Sequence, residues 1–125
     1  MSKSYIGARN AAAKKQKYRC FYCNVPMWQK DLAAFAATHQ ISTKKARFLQ
    51  CTAEHLQPQS SGGKHTGDNI VAACFFCNNK RHARAKAPTP TVYKKFVQQR
   101  VLSGRWFLAT LPDAIRAQCL NAYST

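Results

Sequence analysis

A chain of 125 residues, 46% of them apolar, suits one domain of ordinary size, and it holds no apolar run of the roughly twenty residues that cross a bilayer. Twenty Lys and Arg against four acids leave a net charge of +16. That excess repels itself in a compact state and calls for a polyanionic partner. The basic residues are spread along the chain rather than set beside one apolar helix face, which favours nucleic acid over an anionic membrane surface.

The first nineteen residues carry six basic groups and no acid, and the run Ala11 to Ala13 supports a helix, so residues 1–19 read as a mobile or helical basic arm. Met1 to Lys17 has no apolar stretch followed by a small-residue cleavage site, and the expected compartment is the cytosol. Trp28 to Thr38 places Leu32, Phe35 and Ala36 at helical spacing, with the polar segment Ser42 to Arg47 after it. Arg47 to Thr52 reads as a short strand, Pro58 to Asp68 as a loop rich in turn residues, and Ile70 to Ala73 as the returning strand. A helix is expected over Phe75 to about Ala87, where Pro88 and Pro90 stop it. Val92, Phe96, Val97 and Val101 then line an apolar helical face that ends at Ser103-Gly104. A last helix starts near Pro112, with Ile115 and Cys119 on one side.

Six cysteines in a reducing compartment do not read as a disulfide framework, and four of them form two C-x-x-C pairs, Cys20/Cys23 and Cys74/Cys77. Each such turn offers two thiolates to one ion at about 2.3 Å, so the two turns together make a closed tetrahedral zinc site. Fifty residues separate Cys23 from Cys74, and the zinc would tie the ends of that segment together. Cys51 and Cys119 are left over as small buried apolar residues. Paired C-x-x-C turns indicate zinc and say nothing about catalysis.

Chemistry enters with Glu54-His55, the glycines Gly62-Gly63, Asp68-Asn69-Ile70-Val71, and Cys74-Phe-Phe-Cys77-Asn78-Asn79-Lys80-Arg81. This order resembles the zinc-containing branch of the HNH (ββα-metal) endonuclease family over Cys20 to about Lys86. The spacings agree: Asn69 is fourteen residues after His55, and Asn78 nine after Asn69. The resemblance implies that His55 is the general base that deprotonates water, and that Glu54 and Asn78 hold a divalent cation, Mg²⁺ or Mn²⁺. It implies for Asn69 a structural part, bridging the loop backbone. The family usually has Asp before the histidine, where this chain has Glu54, with one more methylene. Asn79 is the fallback for Asn78, although one residue of slip turns a helical side chain by about 100°.

Beyond Asn78, the residues Lys80, Arg81, His82, Arg84 and Lys86 have no acid among them and are expected to contact phosphate. His65 and His82 are further phosphate or leaving-group ligands, and His39 lies outside the motif. The expected fold is α+β: a basic arm over 1–19, a zinc-stapled ββα-metal core over 20–87, and a helical extension over 88–125 that packs on the core as part of one domain. The expected function is hydrolysis of DNA phosphodiester bonds, with double-stranded DNA as partner, no membrane, and a homodimer left open. The rivals are a zinc module that binds DNA or RNA without cutting it, and a structural subunit of a nucleoprotein assembly. Neither needs Glu54-His55.

Overall fold

The computed structural model describes residues 2–121. Its centre is an antiparallel pair, β1 (Cys51–His55) and β2 (Ile70–Cys74), followed at once by helix α4 (Phe75–His82). Register is set by the pairs Cys51 with Cys74 and His55 with Ile70, so the strand end that carries Glu54 and His55 lies beside the connecting loop. Helix α1 (Ser2–Lys15) packs across both strands, followed by α2 (Leu32–His39) and α3 (Thr43–Ala46) before β1, and by α5 (Pro90–Leu102) and α6 (Asp113–Asn121) after α4. No helix among the described residues is long and apolar enough to cross a membrane.

Local chemistry explains most of these boundaries. Asp31 caps α2 by accepting from the Ala34 N–H at 3.0 Å, and Ser42 caps α3 by accepting from Lys45 at 3.1 Å. Thr89 caps α5, whose first residue is Pro90, a position where the missing N–H costs nothing. Ile115 and Cys119 are buried on α6 as their spacing suggests, and the core gathers Tyr22, Val25, Leu49, Ala72, Tyr93 and Val97 around the four zinc-type cysteines.

Two expectations need correction. The first strand begins at Cys51 rather than Arg47, because the turn capped by Ser42 continues through a 3₁₀ segment, Arg47–Leu49, that carries Leu49 into the core. Helix α4 stops at His82 rather than about Ala87, well before the prolines. There the chain doubles back so that Arg81 Nε donates to the Pro88 carbonyl at 2.9 Å. Of its two expected forms the arm takes the helical one, docked on the sheet. Ala13 is fully buried, and Gln16, just past α1, both donates to the Ala72 carbonyl (2.8 Å) and accepts from its N–H (3.0 Å), extending the sheet edge with a side chain.

Candidate active site and cysteine cluster

The sulfur atoms of Cys20, Cys23, Cys74 and Cys77 all lie within 4.8 Å of one another, fully inside the core, and Cys23 Sγ is 3.9 Å from Cys74 Sγ. Four thiolates about 2.3 Å from one ion stand roughly 3.8 Å apart at tetrahedral angles, so the donor set suits a structural Zn²⁺. The surroundings suit thiolate as well. Cys20 Sγ accepts from the Tyr22 and Cys74 N–H groups at 3.3 Å, Cys74 Sγ accepts from the Cys77 N–H at 3.4 Å, and Cys77 Sγ accepts from Trp106 Nε1 at 3.3 Å. Burial pushes the Cys23 and Cys77 thiols up; Cys20 is subject to the same burial, but hydrogen bonds from the other three cysteines bring it well below its ordinary value. Cys51 and Cys119 are buried free thiols outside the cluster.

The structure brings Glu54, His55, Asn78 and His82 to one cavity of about 290 Å³, lined also by Ala53, Pro58, Gln59 and Ser60. Asn78 and His82 share a face of α4 because they are four residues apart. Glu54 is 1% exposed. Its Oε2 accepts from the Tyr22 hydroxyl (2.8 Å) and from Arg81 Nη1 (3.0 Å), and its Oε1 lies 2.9 Å from His82 Nε2. Burial, and then the Glu54 charge, push the Tyr22 phenol far up, which keeps it a donor. Asn78 Nδ2 donates to Thr52 Oγ1 and the Ala53 carbonyl, leaving Oδ1 as the atom its amide offers to the cavity. Asn79 is exposed and has no part in it.

His55 Nε2 shares a hydrogen with His65 Nδ1 at 2.8 Å, and His65 Nε2 in turn lies 2.9 Å from the Gln59 side-chain amide. His55 Nδ1 is therefore the nitrogen available to water. Burial, then the neighbouring His65, pull the His55 pKa below 6.5, against the opposing pull of Glu54. The loop that carries His65 is held by Asn69. Its Oδ1 accepts from the Gln57 N–H (2.8 Å), and its Nδ2 donates to the Gln57 and Lys64 carbonyls (3.1 and 2.9 Å). Gly63 lies so close to the Gln57 carbonyl that a Cβ there would sit 1.7 Å from its oxygen. On its other side, His55 borders a second cavity walled by Tyr5 and Arg9 of α1.

Arg81 is the clearest correction among the site residues. It was expected on phosphate, but it is 2% exposed, and its guanidinium is spent on Glu54 and on the carbonyls of His55, Leu56 and Pro88. Lys80 is exposed on the face of α4 away from Asn78 and His82, and Arg84 and Lys86 are exposed beyond the helix end, so these basic residues do not form one continuous helical stripe. Three groups at the site escaped sequence reasoning: Tyr22 and Arg81 as the clamp on Glu54, and His82 as a donor facing it. The four-residue spacing of Asn78 and His82 was the available signal for the last.

The HNH endonuclease family model matches residues 40–84, somewhat over a third of the chain. That matched segment holds Glu54-His55, Asn69, the second cysteine pair and Asn78. Cys20 and Cys23 lie outside the match, and the fold is what delivers them to it. No curated protein and no solved structure matches the chain.

Proposed function

We propose that this protein is a metal-dependent endonuclease that hydrolyses DNA phosphodiester bonds, with His55 as general base and Glu54, Asn78 and His82 as the cation site. The observation that carries this reading is the convergence of those four side chains on one cavity inside the HNH segment. Two donors each about 2.1 Å from one cation stand roughly 3 Å apart at a right angle, and Glu54 Oε1 and His82 Nε2 are 2.9 Å apart. A carboxylate, an amide oxygen and an imidazole suit Mn²⁺ better than Mg²⁺, because the imidazole nitrogen is the softer ligand. A divalent cation bound there would neutralise charge on the scissile phosphate and on the leaving oxygen.

The protein's own part is to move one proton and to hold the groups that do it. For His55 to accept water's proton at Nδ1, its Nε2 must carry the hydrogen and donate it to His65 Nδ1, which fixes the tautomer. Arg81 and Tyr22 fix Glu54 from behind, so that only Oε1 faces the cavity. Asn69 and Gly63 keep the loop at the height that brings His65 to His55. The net charge of +16 draws the nucleic acid in. The test is conversion of supercoiled plasmid to nicked or linear product with Mn²⁺ or Mg²⁺ added singly, against EDTA. Cleavage restored by Mn²⁺ after chelation is the expected result; DNA binding without cleavage under any metal would favour a non-catalytic zinc module.

A further inference from the structure

On the face of α4 opposite the candidate active site lies a cavity of about 390 Å³, within the roughly 300–1,000 Å³ range of ligand sites. Side chains two residues apart on a helix diverge by about 200°, which is why Phe76 and Lys80 turn to this side while Asn78 and His82 turn to the other. Four cations line it, Lys80 and Arg84 from α4 and the following turn, Arg100 from α5 and Arg105 just after. None of the four acidic side chains of the chain is among its walls. Four like charges around one cavity repel one another unless an anion enters.

The rest of the wall is aromatic. Trp106 meets Phe96 edge-on at 5.8 Å and Phe76 edge-on at 5.2 Å, and its indole is anchored by the hydrogen bond to Cys77 of the cysteine cluster. Arg100 and Arg84 stand over the Phe96 ring at 4.9 and 5.8 Å, and Lys80 stands over Phe76 at 5.5 Å. Cations laid on ring faces in place of carboxylates keep their charge available to a ligand. Cationic walls recognise phosphate, and aromatic walls recognise a planar base.

We infer that the cavity formed by Lys80, Arg84, Arg100, Arg105, Phe96 and Trp106 is a second nucleic-acid site, which takes an unpaired nucleotide by its phosphate and its base. It lies on the other side of α4 from His55 and requires no cleavage. It would hold a strand segment away from the phosphate that is cut, and would do so equally in a protein that only binds.

The test is fluorescence anisotropy with a labelled oligothymidylate and with an abasic oligonucleotide of equal length, with no Mg²⁺ or Mn²⁺ added. Stacking predicts that the wild-type protein prefers the base-bearing strand by about tenfold or more. Phe96→Leu should remove most of that preference. Arg100→Gln and the exposed Arg105→Gln should each flatten the salt dependence of log K by about 0.7, while Lys15→Gln on α1 should change it little. Zinc content and circular dichroism check that each variant folds, and Arg105→Gln keeps the test valid should Phe96→Leu fail to fold. Equal binding of the two oligonucleotides, or a Lys15→Gln effect as large as that of Arg105→Gln, would overturn the inference. Plasmid cleavage by the same preparations is scored separately, so failure of this site and failure of the nuclease reading give different results.

Discussion

Replacing Arg81 by Leu separates a buried clamp from a phosphate contact. The guanidinium donates to Glu54 Oε2 and the His55 carbonyl at 3.0 Å, and to the Leu56 and Pro88 carbonyls at 2.9 Å. Removing one partner of a buried ion pair costs about 3–5 kcal/mol, because the other charge is left uncompensated. Tyr22 and His82 still face Glu54 and hold the loss toward the lower bound, while three carbonyls deprived of their donor push it up by about 1–3 kcal/mol for each that stays dry. A loss of about 4 kcal/mol is the working figure, a large part of the roughly 5–15 kcal/mol that holds a domain together. Urea denaturation followed by circular dichroism, at one fixed free zinc concentration, reads it. The double variant Arg81→Leu with Glu54→Leu should lose less than Arg81→Leu alone, since no charge is then left buried. A single-variant loss under about 1 kcal/mol, together with a salt slope flattened by about 0.9, would show that Arg81 touches phosphate after all.

One Zn²⁺ per chain is expected by elemental analysis, and Cys74→Ser with Cys77→Ser should abolish it and unfold the β1–β2–α4 unit, because zinc binding energy is folding energy there. His82→Ala should raise the Mn²⁺ concentration that gives half-maximal cleavage by about tenfold or more, since even loss of an outer-shell partner costs roughly that. The base form of His55 is the neutral one, and burial and His65 hold its pKa below 6.5, so cleavage should persist through pH 6.5 and fall only at more acid pH. A cation beside it acts in the same direction. On the stability side, the unfolded chain binds more protons than the folded one as pH falls past 6.5, so this residue weakens the fold toward acid and not toward base. A pH–rate profile whose acid limb lies above 6.5 would contradict the shift.

The four-cysteine cluster, the strand–loop–strand order and the placing of His55, Asn69 and Asn78 about the loop were legible because spacing carries them. Two C-x-x-C pairs admit few other readings, and the turn residues of 58–68 mark a loop whatever the tertiary fold. What escaped depended on packing. A basic run in a sequence looks like one charged face, yet α4 sends Arg81 inward, His82 toward Glu54, and Lys80 to the opposite side. Nothing local marks Arg81 as the buried one; that follows from Glu54, twenty-seven residues earlier, facing into the core. The early end of α4 is a tertiary effect of the same kind, since the residues after His82 are helix-compatible and it is the bond from Arg81 to Pro88 that turns the chain. The pairing of His55 with His65 had a faint signal, a second histidine in the glycine loop, but its meaning rests on a contact across ten residues of irregular chain.

Plasmid cleavage by wild type and His55→Ala decides whether His55 is the base of a nuclease. Both proteins would be purified in parallel, matched for zinc content and for DNA affinity, and assayed in Mn²⁺. The variant is expected to keep zinc, fold and binding while cleavage falls by roughly two to four orders of magnitude, the usual worth of a general base. Equal cleavage by the two proteins would contradict that role.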